Sequence, residues 1–329
     1  MIKYLMYKWG DKMSNPLFNH EKHYLTLNNY LKDIYKKKVF KISLNGSFSC
    51  PNRDGKISTM GCIFCSEKGS GDFAGNPLKG IKEQFIEIKD MMQSKWSDGY
   101  YIAYFQANTN TYGTMEKLKQ TYSQIVDKDY LIDENVKILS IATRPDCLDK
   151  EIVKYLSEIN EIIPVWIELG FQTMHEETAR LINRGYDNHC FEKAIALLKK
   201  YNLTTIVHVI NGLPYETKDM MIETIKYLNN LKIDGIKIHM LHIMKNTPLE
   251  EYYKLNKFKV LTLEEYVDIV VTELRYLDDN IVIHRVTGDS PKDLLIEPMW
   301  TLKKFVVINE IDKLMRKENI YQGDLCIKL

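Results

Sequence analysis

Six short apolar runs, at residues 39–44, 100–105, 136–142, 163–170, 204–210 and 233–241, are separated by stretches of helical periodicity at 81–92, 115–126, 150–159, 190–200 and 218–231. Strands that alternate with helices of this length pair in parallel, because a parallel partner needs a crossover, and such crossovers are right-handed. Near-uniform apolarity is expected of strands covered on both faces. An open doubly wound sheet and a barrel both satisfy the pattern. In a barrel or partial barrel, all strand C-terminal ends would meet at one mouth, where active sites of that architecture lie.

Around this unit the chain divides into three expected parts. Residues 1–38 form a leader with one helix near 28–38, where Leu31, Ile34 and Tyr35 have helical spacing. Residues 39–255 form the barrel. Residues 256–329 form a covering extension with a helix at 263–277, a short strand at 281–284 and a helix at 299–317. No apolar run approaches the roughly 20 residues that span a bilayer. Residues 1–10 mix Lys with Tyr and Trp and lack the apolar core of a signal peptide. With 45 basic against 44 acidic residues, overall charge does not announce a nucleic-acid binder. The expectation is a cytoplasmic protein with no membrane partner.

Three of the six cysteines, Cys50, Cys62 and Cys65, fall within 16 residues directly after the first strand, in the spacing C-x11-C-x2-C. A secreted disulfide scaffold would be shorter and denser in cysteine. Thiolates are soft ligands for iron–sulfur clusters or zinc. Three thiolates leave one iron of a [4Fe–4S] cluster open. An open iron that chelates S-adenosylmethionine (SAM) can pass one electron to its sulfonium, releasing a 5′-deoxyadenosyl radical. A structural zinc with a ligand elsewhere also fits the three cysteines. Against it, no second Cys-x2-Cys exists, and the nearest histidines, His20 and His23, lie upstream in the leader.

Polar segments close five other strands: Gln106-Ala-Asn-Thr-Asn-Thr, Thr143-Arg-Pro-Asp, Glu168-Leu-Gly-Phe-Gln, Asn211-Gly-Leu-Pro-Tyr-Glu-Thr, and the pair His239 and His242. Polar clusters at successive strand ends point to one shared site. Each also has a plain structural reading. Gly212 and Pro214 suit a turn, Asn108 and Thr109 suit a helix cap, and Arg144 suits an ion pair. Glu168 is harder to explain by structure alone, because a carboxylate in an apolar strand needs partners. His208, His239, His242 and His284 are each compatible with satisfied packing.

With these residues quoted, the chain resembles the radical SAM superfamily, whose fold is a partial (βα)6 TIM-like barrel. The usual C-x3-C-x2-C is stretched here, as in the Elongator catalytic-subunit-like branch. The resemblance implies a [4Fe–4S] cluster on Cys50, Cys62 and Cys65, with Phe64 beside the adenine. It implies SAM contacts from Gln106, Asn108, Thr109, Arg144, Glu168 and Gln172, from Arg184 in Ile182-Asn-Arg-Gly, and from Gly212 and Pro214. A one-electron donor such as flavodoxin or ferredoxin is implied too. The segments Lys41-Ile-Ser-Leu-Asn-Gly-Ser-Phe-Ser-Cys-Pro-Asn-Arg-Asp-Gly, Ala142-Thr-Arg-Pro-Asp-Cys and Thr287-Gly-Asp are similar to bacterial MnmL/YtqA-type proteins. That likeness implies a tRNA partner and conversion of 5-carboxymethylaminomethyluridine to 5-aminomethyluridine at the wobble position, completed by a separate methyltransferase. The acetyltransferase-like domain of the Elongator relatives is missing, so acetyl transfer is not expected. A radical SAM enzyme acting on a small metabolite and a zinc-stapled binding module are the alternatives. Lys36, Lys37, Lys38, Arg53, Arg184, Lys303 and Lys304 are candidate phosphate contacts, and Tyr112 is a candidate stacking partner.

Overall fold

The computed structural model describes residues 7–9, 12–69, 71–96 and 98–327. Seven parallel strands lie side by side in chain order: β1 (Val39–Leu44), β2 (Tyr100–Phe105), β3 (Val136–Thr143), β4 (Val165–Gln172), β5 (Thr204–Asn211), β6 (Gly235–Met240) and β7 (Val282–Arg285). The sheet curls into a half-barrel, the partial TIM-like architecture expected. The extension's strand, β7, adds to the six expected by pairing with β6.

The helices on the outer face are α2 (Ile81–Gln93), α3 (Met115–Tyr122), α4 (Lys150–Asn160), α6 (Asn188–Lys200) and α7 (Lys218–Asn230), with α9 (Leu263–Tyr276) and α10 (Lys304–Lys317) from the extension. Outward residues such as Ile42, Leu44, Ala103, Phe105, Ile141 and Ile167 pack beneath them in the main apolar core. Helix starts are fixed by side-chain caps. Asp149, Asp187 and Thr217 accept from the backbone N–H groups of Ile152, Cys190 and Met220, which satisfies donors that the first turn leaves open. The third expected helix stops at Tyr122, because Val126–Asp127 turns into a small hairpin with Tyr130–Leu131. Two short helices, α5 (Glu176–Leu181) and α8 (Pro248–Asn256), were not foreseen.

Because side chains alternate along a strand, every second residue points into the barrel. The bottom inward layer is apolar. Ile102, Ile138, Trp166 and Ile206 pack with Leu31 of the leader helix α1 (Leu27–Tyr35), which plugs that end. This helix ends where Lys36 adopts φ 56°, turning the chain into β1. Lys36, Lys37 and Lys38 therefore enter at the N-terminal end of the sheet, opposite the mouth. They face Asp33, Asp98 and the rings of Phe40 and Trp96. Among the described residues no helix is long and apolar enough to cross a membrane.

The extension is tied down through a buried carboxyl. Glu273 on α9 is 1% exposed, accepts from the Asn211 amide at 2.8 Å, and is pushed up to about 8 by burial. The folded state therefore holds a proton there that the unfolded chain releases near pH 4.3. This contribution to stability is complete below about pH 4 and is lost as pH rises through about 8. Glu273→Gln, which preserves the acceptor for Asn211, should remove that loss. Its stability relative to wild type should increase from pH 5 to pH 9, by up to a few kcal/mol. Urea melts at pH 5, 7 and 9 would show this, and a constant difference across the three would contradict it.

Candidate active site

The loop after β1 carries the three cysteines and is held from two sides. The Asn52 amide, fully buried, donates to the Asn183 carbonyl at 2.6 Å and approaches the Cys62 sulfur at 3.6 Å. In return the Asn183 amide donates to the Gly61 carbonyl at 2.6 Å, and Ile63 N–H donates to Ile182 O at 3.1 Å. The segment after α5 thus clamps the cysteine loop. On the other side, Gly69 and Gly71 let the loop close onto the end of β2. A Cβ on Gly69, at φ +60°, would run into Asn108, and one on Gly71 would come 2.6 Å from the Ala107 Cβ. Asn52 was not singled out by sequence. An amide N–H aimed at a ligating sulfur is the kind of contact that tunes a metal centre.

Cys50, Cys62 and Cys65 line one wall of a cavity of about 540 Å³, open at the strand C-terminal ends. The Cys62 thiol is pushed well up by its hydrogen bond with Cys65 and by burial. A metal would take the place of that proton. Among the described residues no three His, Cys, Asp or Glu side chains converge on a single metal-ion position. Three soft donors facing one open space suit a larger cluster with a free position.

Phe64, Gln106, Asn108, Thr109, Arg144, Glu168, Gln172 and Arg184 all line this cavity. Gln172 is turned by an irregularity in the β4–β5 ladder and adopts φ 67°, a conformation uncommon outside glycine. Arg144 forms a bidentate pair with Asp146 at 2.9 and 2.8 Å and donates to the Arg184 carbonyl. Arg184 is fully buried, and its guanidinium donates to Phe171 O, Thr173 O, Tyr186 O and Asn188 Oδ1. Those bonds shape the loop that clamps the cysteines. The structure does not bring Gly212 and Pro214 to this cavity. Gly212 lines a separate narrow cleft with Leu261 and Trp300.

Beneath the cysteines the barrel interior is charged. Glu168 has no exposed surface. Its Oε1 accepts from Lys41 Nζ at 3.2 Å and Ser140 Oγ at 2.9 Å. Its Oε2 accepts from His208 Nε2 at 2.8 Å and from Lys237 Nζ. Burial alone would raise this carboxyl, but the two ammonium groups hold it well below the usual range. Burial pushes His208 down to about 4, so its imidazole is neutral at pH 7. Tyr104 donates no charge but receives Lys237 at its hydroxyl (3.2 Å) and Lys41 over its ring (4.8 Å). Sequence reading missed Lys41, Tyr104 and Lys237. Their signal was alternation, since each lies on the inward parity of a strand that reads as apolar overall.

A curled parallel sheet with thiols on the loop after its first strand, above a polar interior, defines a barrel enzyme whose reactive group is a metal cofactor. The chain matches the radical SAM superfamily over residues 54–228 and the radical SAM C-terminal domain over residues 233–317. It is 45% identical over 308 residues to YtqA of Bacillus subtilis (strain 168), covering 94% of each chain. It is 26% identical over 191 residues to a tRNA uridine(34) acetyltransferase of Methanocaldococcus infernus, covering 56% of this chain and 35% of that one. The fold is similar to the solved archaeal Methanocaldococcus infernus Elp3 with an N-terminal deletion, with a TM-score of 0.64 at 16% identity, covering 86% of this chain and 64% of that one. The chain belongs to the radical SAM superfamily, and its cofactors are a [4Fe–4S] cluster and SAM.

The charged interior makes a direct prediction. Lys237→Met leaves Glu168 buried with one ammonium fewer and should destabilise the fold by about 3–5 kcal/mol. Adding Glu168→Gln removes the stranded charge and should recover most of that loss. Chemical denaturation of the single and double variants measures both. A double variant no more stable than Lys237→Met would contradict the pairing.

Proposed function

We propose that this radical SAM enzyme modifies the wobble uridine of a tRNA, converting its 5-carboxymethylaminomethyl substituent to 5-aminomethyl. Three things support the reading. The sequence resembles the MnmL/YtqA type, a tRNA uridine(34) acetyltransferase is among its relatives, and the site suits an extruded base. The observation that carries it is the cavity itself, one open space joining the three cysteines to a polar floor. A wobble base is already single-stranded, so little unpairing energy opposes its entry. At the rim, Phe73 lines the cavity while 59% exposed and is better placed for stacking than Tyr112, which is not among the lining residues and carries Lys56 over its ring. Arg53 lines the same cavity, and Lys304 meets its edge through Asp289 at 3.0 Å. Both suit phosphate contacts.

In this reading Cys50, Cys62 and Cys65 hold the cluster. Phe64, Gln106, Asn108, Thr109 and Gln172 surround SAM, and a flavodoxin- or ferredoxin-type donor supplies the electron. When bound, cluster and SAM supply a radical that abstracts hydrogen from carbon. The protein's own part is to orient substrate against it and keep water out. Arg144 and Arg184 fix the loops that do so.

Anaerobic reconstitution should load about four irons with matching sulfide. Replacing any of the three cysteines by Ala should abolish loading. In cells lacking the protein, mass spectrometry of tRNA nucleosides should show the carboxymethylaminomethyl form accumulating, reversed by the intact gene and not by a Cys62→Ala copy. An unaltered wobble-uridine profile would reject the tRNA substrate and favour a small metabolite.

A further inference from the structure

We infer that the barrel floor is a receptor for a carboxylate carried by the substrate, formed by Lys41 and Lys237 with the imidazoles of His239 and His284. The inference rests on the function proposed above and assigns the substrate's anionic end to named residues.

Two amine side chains, Lys41 and Lys237, converge on the single carboxylate of Glu168, although burial pulls Lys237 well below the usual lysine range against the pull of that carboxylate. At the open edge beside them, the partly exposed Arg285 at 3.2 Å and Lys304 at 3.0 Å share Asp289. Burial keeps His208 neutral. Lys41 and Lys237 together offer more donor hydrogens than the Glu168 carboxylate can accept. Buried donors in excess of their acceptors are costly unless a further acceptor joins them.

His239 Nε2 and His284 Nδ1 are buried and meet no partner within the protein, although both residues line the cavity. Native structures leave few such atoms unsatisfied, and those that remain often mark a ligand. His284 is held edge-on against Trp166 of the apolar layer, with ring centroids 5.1 Å apart. It therefore stands at the base of the cavity rather than at its mouth. Tyr104, 6% exposed, anchors the two lysines to this layer.

Inward side chains recur about every 7 Å along a strand. Lys41 lies one such step below Ser43, and the cysteine loop begins beyond Leu44, so the floor lies well below the thiols. RNA phosphates stay at the rim, because a base enters edge first. What reaches the floor is the substituent that leads the base inward, and on the proposed function that substituent ends in a carboxylate. SAM also carries a carboxylate, and the experiment separates the two sources.

The test uses protein reconstituted with cluster and SAM, without reductant, and three anticodon stem-loop RNAs. Their wobble uridine bears 5-carboxymethylaminomethyl, its methyl ester, or no substituent. Wild type should bind the acid about tenfold tighter than the ester. Lys41→Met, at a side chain 26% exposed, and the charge-balanced pair Lys237→Met with Glu168→Gln should each bring the two within about twofold, with iron content and ester affinity unchanged. Equal binding of acid and ester by wild type overturns the receptor, and needs no variant to show it. So does a preference for the acid that persists in Lys41→Met. Weakened SAM affinity with the acid preference intact would give the floor to SAM and overturns the inference as well. If wild type fails to distinguish either modified loop from the unsubstituted one, the wobble-uridine function itself fails, which is a separate result.

Discussion

A carboxylate shared by two ammonium groups sits at the centre of this half-barrel, and much of the architecture follows from keeping it satisfied. Glu168 comes from β4, Lys41 from β1 and Lys237 from β6, so one buried charge ties strands across the width of the sheet. Ser140 and His208 occupy the remaining lone pairs from β3 and β5. Removing any one member leaves a charge or a donor stranded in a low-dielectric interior. The apolar layer below, sealed by α1, keeps water from reaching the network from the closed end. The network thus divides the barrel into an inert base and a reactive chamber open only at the strand C-terminal ends.

The upper part of the chamber depends on backbone as much as on side chains. The cysteine loop has no regular structure of its own. It is fixed by reciprocal amide bonds with the segment after α5 and by glycines that allow contact with the end of β2. The Arg184 guanidinium, fully bonded to backbone and amide oxygens, holds that clamping segment, and Arg144 braces it through the Arg184 carbonyl. Both arginines line the cavity and also build its walls.

Much of this was legible in the sequence. The strand and helix alternation, the parallel order and the mouth-facing cysteine loop all follow from local periodicity and motif position. The inward polar layer was not read. The β1 run Val-Phe-Lys-Ile-Ser-Leu and the β6 run Gly-Ile-Lys-Ile-His-Met look apolar in bulk, yet their polar residues share one parity. The pairing of Lys41 with Glu168 joins residues 127 positions apart, and no local pattern encodes a contact at that separation. Gly212 and Pro214 show the converse limit of local pattern. A plausible motif at a strand end was carried to the site, but the chain turns there toward Leu261 and Trp300 instead.

The claim on which the rest depends is that Cys50, Cys62 and Cys65 hold a cluster whose open iron faces the same cavity as the polar strand ends. Electron paramagnetic resonance of the reduced, reconstituted protein tests it most directly, recorded with and without SAM labelled with 17O in its carboxylate and 15N in its amino group. The expected result is a [4Fe–4S]+ signal that shifts when SAM is added and shows hyperfine coupling to both labels. A cluster signal indifferent to SAM, or a protein that takes up one zinc and no sulfide, would contradict it.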